Sequence, residues 1–379
     1  MDFALNPRES ELQANARAFA ATALPGAMQR DAAHEFPVAL LQEAARRGYC
    51  GLGVPTALGG MGLGALEQCI VLEEIARADT SLHVTLSVHN SLACGPILRW
   101  GTAAQQQQWL PAMAAGQCLG AYALTEPASG SDAAALHTKA VRDGTGWRLN
   151  GTKLWITTGV SANTFVVFAR TDPAAQKTKG ISAFIVSGDA PGFTRGKPEN
   201  KLGIRSSETV QLFFEDVLLP AAALLGEENR GFGYAMATLD GGRIGIATQA
   251  VGLAQAALDA TVAALKPVAA AKGCAFTSQH ADFIMADMAT RTEAARLLVW
   301  RAARLRDQGI PHTPEASMAK LFASEAANRN CREAVALLGA EAYSGGTAER
   351  LLRDARVTEI YEGTSEVQRM LIARALRGA

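Results

Sequence analysis

Leu12, Ala16, Phe19 and Ala23 recur at helical spacing in "SELQANARAFAATALPG", and Pro25-Gly26 stops that run. A second apolar stripe of Leu40, Leu41, Ala44 and Ala45 ends at Gly48, and "ALEQCIVLEEIARAD" predicts a third helix. From about Gly120 the period changes. "TFVVFAR", "GISAFIV" and "TVQLFFEDV" are β-branched and aromatic runs bounded by glycine, proline or charge. In "WRLNGTKLWI", Asn150-Gly151 separates two short alternating runs and predicts a tight hairpin turn. After about Gly231 helical spacing returns. Val251, Ala254, Leu258, Val262 and Leu265 form one stripe; Ala294, Leu297, Leu298, Arg301 and Leu305 form another. Helices, then strands, then long helices imply segregated domains, at residues 1–120, 121–229 and 230–379, not an alternating parallel fold.

A chain of 379 residues exceeds one ordinary core, consistent with that division. The 36 basic side chains balance 36 acidic ones, which argues against nucleic acid as the main partner. No basic-then-apolar leader is visible and no apolar run is long enough to span a bilayer, so a cytoplasmic protein is expected. Six scattered cysteines without a CxxC pair read as buried thiols in a reducing compartment. The six histidines form no close ligand pattern, so no metal site is expected.

Five stretches have candidate chemistry, each with a plainer reading beside it. "GGMGLGA" at 59–65 contains GxGxxA but lacks a preceding strand and a βαβ unit, so it reads as a loop into the next helix. "YALTEPASGSDAA" at 122–134 gathers hydroxyls and free N–H groups that suit an anion or a polar heterocycle; on local chemistry alone an ordinary surface loop with an Asx turn is the favoured reading. Trp155 in "KLWITTG" is either core or a cover for a flat cofactor. Asp240 and Arg243 are one helical turn apart, as a surface ion pair or as an arginine held for a phosphate or polar substrate group. In "ARVTEIYEGTSEVQR", Glu359, Glu362 and Glu366 fall roughly on one helix side, and Gly363 beside Glu362 permits close approach of backbone and ligand.

Taken in order, these strings resemble the acyl-CoA dehydrogenase family over nearly the whole chain. The resemblance includes "SVHNSLACGPILRWG", "YALTEPASGSDAA", "LNGTKLWITTG", "KLGIRSSET", "FEDVLLP", "MAKLFASEAA" and "RDARVTEIYEGTSEVQR". It is nearest the short-chain, butyryl-CoA-type branch around "ATLDGGRIGIATQAVGLAQAALD". The family implies a mainly α fold: an N-terminal helical domain, a middle β-barrel-like domain and a C-terminal four-helix bundle. It also implies bound FAD, a homodimer or homotetramer, an acyl-CoA substrate and electron-transfer flavoprotein as acceptor.

By the same resemblance Glu362 is the general base, taking the α-proton of the thioester while a hydride leaves the β-carbon for flavin N5. Tyr122, Leu124, Thr125, Ser131, Trp155, Ile156, Thr157, Gln279, Thr364 and Glu366 match flavin-contacting positions. Ser131, Asp240, Arg243 and Gly363 match substrate positions, Arg243 near the adenosine end of CoA. Two strings depart from the family pattern. An Arg-x-x-Phe-Gly string that reaches the neighbouring subunit's FAD pyrophosphate is replaced, with Val268, Ala271 and Lys272 at its positions and Pro267 interrupting a helical stretch. A Gln-x-x-Gly-Gly-x-Gly string has become "ALLGAEA", with Ala336, Ala340 and Ala342 for the glutamine and two glycines. Weaker or rearranged FAD binding is therefore expected, with Lys266 or Lys272 as a partial substitute charge. The alternatives are oxidation of a carrier-protein-bound acyl or aminoacyl group, and a redox-inactive flavin-binding homologue.

Overall fold

The protein was analysed as a computed structural model, which describes residues 4–271 and 278–378. The N-terminal part is helical: α1 (Pro7–Ala23), α2 (Ala27–Ala33), α3 (Val38–Arg46), α4 (Ala65–Ala78), α5 (Thr80–Val88), α6 (Gly95–Trp100) and α7 (Ala103–Ala114). The stripe read from sequence in α1 faces inward, with Ala16, Phe19 and Ala23 buried and Leu12 packed against them. Asn6 begins that helix with a reciprocal capping box to Glu9, satisfying two orphan donors at once. "GGMGLGA" is a loop running into α4, whose first backbone N–H groups are met by Asp307 and whose cap N–H is met by Glu67.

Eight strands follow: β1 (Leu119–Ala123), β2 (Lys139–Asp143), β3 (Gly146–Thr157), β4 (Ala162–Arg170), β5 (Ile181–Ser187), β6 (Phe193–Arg195), β7 (Thr209–Leu219) and β8 (Leu224–Leu225). They form one sheet in the order β6-β7-β3-β2-β4-β5-β8, with β1 added parallel to β4. β4 shows why these runs are apolar throughout. Phe165, Val167 and Ala169 enter one core with Trp147 and Phe214, while Val166 and Phe168 enter another shared with the helices. A strand covered on both faces needs no polar alternation.

The hairpin expected at Asn150-Gly151 is not there. The β2–β3 turn lies at Asp143–Gly146, and Asn150-Gly151 sits within β3 at a register shift. Asn150 exchanges hydrogen bonds with Asp216 of β7, and a Cβ on Gly151 would press into Thr138. The dipeptide lies opposite a β-bulge in β7, where Glu215 and Asp216 together face Asn150 and Asp216 takes the left-handed φ of 49°.

The C-terminal part packs α8 (Gly231–Ala271), α9 (Gln279–Asp307) and α10 (Thr313–Leu338) together, with α11 (Ala340–Tyr343), α12 (Thr347–Arg356) and α13 (Ser365–Leu376) following. α8 continues past Pro267. The stripe proposed on α9 is one of its flanks; the buried face is Met288, Thr292, Ala295, Val299, Ala302 and Ala303. Alanines face the neighbouring helices, and the larger Leu297 and Leu298 cover the sides. Close helix approach favours small residues at the contact.

Candidate active site

Glu362 lies in the segment between α12 and α13, at the seam where the bundle meets the core shared with the sheet. Its φ is 51° and that of Gly363 is 93°, so two consecutive residues are left-handed. For a non-glycine this conformation is unfavourable and persists only where surroundings impose it. The turn carries the Glu362 side chain over α8, where a Cβ on Gly242 would overlap its Oε2 and touch Leu92. Neighbouring glycines serve the same helix face: Gly241 admits Arg306, and Gly245 admits Ser87. The "GG" of "LDGGRIGIA" is therefore a notch in α8 as well as a local sequence feature.

Glu362 Oε2 is buried and accepts no hydrogen bond. Among the described residues its backbone N–H also finds no acceptor. Burial pushes the carboxyl up to about 7, against the opposing pull of Lys320 and then Arg243. Tyr122 from β1 and Tyr361 beside it are phenols raised well above their ordinary value, by burial and by the Glu362 charge. Tyr361 donates to Gln249 of α8, and Tyr122 to the Ala235 carbonyl at 3.4 Å.

Asp240 and Arg243 do form an i,i+3 ion pair, with the arginine buried and the aspartate half-buried. The second Asp240 oxygen accepts from Thr313 at 2.8 Å. Arg243 faces Glu362 and is lowered by burial, with its Nε buried and unpartnered. This places Arg243 beside the Glu362 carboxylate. The glycine notch brings the helix, and with it the arginine, close to the acid.

The loop after β1 is rooted by a pair that the sequence reading passed over. Lys153 of β3 is fully buried, and its Nζ donates to Glu126 Oε1 at 2.8 Å and to the Leu124 carbonyl at 3.0 Å. Glu126 also accepts from the His137 and Thr138 N–H groups at 2.5 and 3.0 Å. Burial lowers Lys153 to about 8; the same burial works against the Glu126 charge, yet Lys153 and these donors keep Glu126 below its usual range. Both partners are thus charged at neutral pH. This one pair closes the 126–138 loop and ties it to β3, while Leu154 donates to the Thr125 carbonyl at 2.9 Å.

Two residues beyond Lys153, the strand breaks register and Trp155 takes φ 59°. In a regular pleat Trp155 would point inward with Lys153. The bulge instead leaves it 54% exposed and gives the inner position to Ile156, which is buried. Trp155 is therefore not core. Thr157 ends β3 half-buried, and the next residue, Thr158, has a buried hydroxyl without a partner.

Tyr122, Leu124, Thr125, Trp155, Ile156 and Thr157 are thus joined through the Lys153 staple, with Tyr122 reaching toward Glu362. Ser131 is exposed at the loop tip. Thr364 caps α13 by accepting from Val367, and Glu366 is exposed in its first turn, where the Thr364 hydrogen bond lowers its carboxyl. Gln279 is the exposed first residue of α9, and no hydrogen bond among the described residues links it to this group. Ala336 and Ala340 are exposed at the end of α10 and start of α11, whereas Ala342 is buried in the bundle core. Lys266 is exposed on α8. Lys272 and the side chains of Val268 and Ala271 lie outside the described residues, as does Cys274. The other five cysteines are free, four of them buried. No helix among the described residues is long and apolar enough to cross a membrane.

Two helical regions thus flank a sheet, and Glu362, its Oε2 buried, lies at their junction. The chain belongs to the acyl-CoA dehydrogenase family: models of its N-terminal, middle and C-terminal domains match residues 6–117, 121–217 and 229–377. It is 50% identical over 351 residues to the mitochondrial short-chain specific acyl-CoA dehydrogenase of Mus musculus, covering 92% of this chain and 85% of that one. Among solved structures it is similar to butyryl-CoA dehydrogenase from Megasphaera elsdenii, with a TM-score of 0.95, 39% identity and full coverage of both chains. A chain from a structure described as the electron transferring flavoprotein of Acidaminococcus fermentans gives a TM-score of 0.95 at 43% identity, covering 99% of each.

Proposed function

We propose that this protein oxidises short-chain acyl-CoA thioesters to trans-2-enoyl-CoAs, with Glu362 as base and FAD as cofactor. The observation that carries the reading is the unpartnered, buried Glu362 Oε2, held by a left-handed turn in a setting that raises its carboxyl to about 7. An α-C–H is a weak acid, and a base whose own affinity for protons is raised removes it more readily. We assign the unpaired Glu362 N–H to the thioester oxygen, to which it would donate as enolate charge develops there. Lys320 and Arg243 favour the ionised form of Glu362 against the larger effect of its burial.

The residues present fit a flat tricyclic ring. Trp155 offers an exposed indole on a left-handed bulge, the Thr158 hydroxyl close by in sequence has no partner, and Tyr122 on β1 is near enough to Glu362 to feel its charge. Bound FAD supplies the acceptor for the two electrons that leave the β-carbon as hydride. The chain's part is to hold that ring against Trp155, Ile156, Thr157, Thr364 and the β1 loop, and to move the α-proton. We further propose electron-transfer flavoprotein as the acceptor and a homo-oligomeric, cytoplasmic enzyme.

The altered "ALLGAEA" and "KPVAAAKG" strings should weaken the grip on the far end of FAD, since a lost guanidinium forfeits charge-assisted hydrogen bonds of roughly 1.5–3 kcal/mol each. Partial loss of flavin on dialysis is expected; full, dialysis-resistant occupancy contradicts it. The substrate class is tested by turnover across saturated acyl-CoAs of increasing length, alongside carrier-bound thioesters. The highest kcat/KM is expected for butyryl-CoA, and a preference for carrier-bound or long chains would overturn that assignment.

A further inference from the structure

α10 turns a stripe of Ala316, Ala319, Ala323 and Ala327 into the bundle core, and Lys320 stands within it, fully buried. An ammonium withdrawn from water is strongly disfavoured unless something specific holds it. Here that partner is a carbonyl: Lys320 Nζ donates to Gly363 O at 2.6 Å. The same oxygen accepts from Gln368 Nε2 at 2.8 Å, and that amide also reaches the Glu362 carbonyl at 3.4 Å. Two side chains from different helices thus converge on the backbone of the two left-handed residues.

We infer that Lys320 is a positioning residue for the reaction: by holding the Gly363 carbonyl from α10, it fixes the left-handed turn that presents Glu362 over the Gly242 notch. The inference rests on the reading of Glu362 as the base. Its geometry has an electrostatic consequence. Glu362 is faced by Lys320 from α10, Arg243 from α8, Tyr122 from β1 and Tyr361 on its own segment. Lys320 in turn is faced by Glu362, Arg243, Glu359 and Glu366, and burial lowers it to about 8. It remains a cation at neutral pH and favours the ionised base. Gln368 supplies a second hydrogen bond but no charge, so the two supports are separable.

Lys320→Gln retains an N–H donor without the charge; Lys320→Met removes both. The FAD-loaded variants would be compared with the parent protein by the pH profile of kcat/KM for butyryl-CoA. A second readout is deuterium uptake into the methyl group of acetyl-CoA in D2O, followed by NMR. Acetyl-CoA has no β-carbon, so this exchange needs the base to take a proton and return a deuteron, and no electrons are transferred. For Lys320→Gln the acid limb should move up by about one pH unit, with a plateau within about threefold of the parent. Lys320→Met should show that shift and a plateau about ten- to a hundredfold lower in both assays. Thermal unfolding checks that each variant folds; should the methionine variant not fold, the glutamine variant alone tests the limb. An unshifted acid limb in the glutamine variant, or an undiminished plateau in a folded methionine variant, overturns the inference. A parent protein that neither exchanges acetyl-CoA nor oxidises butyryl-CoA overturns the function itself, which is a different result.

Discussion

Glu362→Gln should bind butyryl-CoA as the parent does and oxidise it about two to four orders of magnitude more slowly, the usual contribution of a positioned general base. The amide is nearly isosteric, so the notch over Gly242 still accommodates it. What is lost is the ability to take a proton. The direction of the pH dependence follows from the same group. Burial raises the Glu362 carboxyl to about 7, and the reaction needs its ionised form. kcat/KM of the parent should therefore reach its plateau above that pH and fall about tenfold per unit below it. Stopped-flow reduction at a series of pH values measures both effects. Normal turnover by the glutamine variant would remove Glu362 from its role.

The second large effect is expected far from any reacting atom. Lys153→Met leaves Glu126 buried with its two backbone donors but no counter-charge. Removing one partner of a buried ion pair typically costs about 3–5 kcal/mol, because the remaining charge is uncompensated. The loop from Glu126 to Thr138 and the bulge at Trp155 are both tied to this lysine, so flavin retention should fall with stability. Thermal unfolding and flavin content of the variant, measured together, check this. The double variant Lys153→Met, Glu126→Gln removes both charges and should recover part of the stability, which a simple packing defect would not allow.

Much of the architecture was legible because period is a robust signal. The change from helical spacing to apolar strand runs and back marks the strand region between Leu119 and Leu225. The stretch around Glu362 was legible because glycine beside an acid in a helical context is unusual, and the observed φ values show what it permits. The misreadings have physical causes. Asn-Gly was taken as a turn, but here it runs through β3 opposite a bulge in β7, and local sequence does not reveal that partner strand. The α9 stripe was assigned to leucines, whereas close-packed helices bury alanines. Asp240 and Arg243 were given a surface default because their burial depends on Thr313 and on the glycine notch, both set by tertiary packing.

The charged residues that organise the site, Lys153, Glu126 and Lys320, were missed for one shared reason. Each lies within a quoted motif, but a lysine reads as solvent-facing unless its neighbours are considered. The available signal was positional. Lys320 sits in register with four buried alanines, and Lys153 shares a strand with buried Leu149 and Ile156. A cation at an inward position marks either an ion pair or a held carbonyl, and here one of each occurs.

The central claim is that this chain removes an α-proton and a β-hydride from a short acyl-CoA at Glu362. Anaerobic mixing of the FAD-loaded protein with butyryl-CoA tests it most directly. Bleaching of the oxidised flavin, matched by trans-2-butenoyl-CoA in the quenched mixture and absent in Glu362→Gln, is the predicted result. An unchanged flavin spectrum with butyryl-CoA and every other acyl thioester would contradict it.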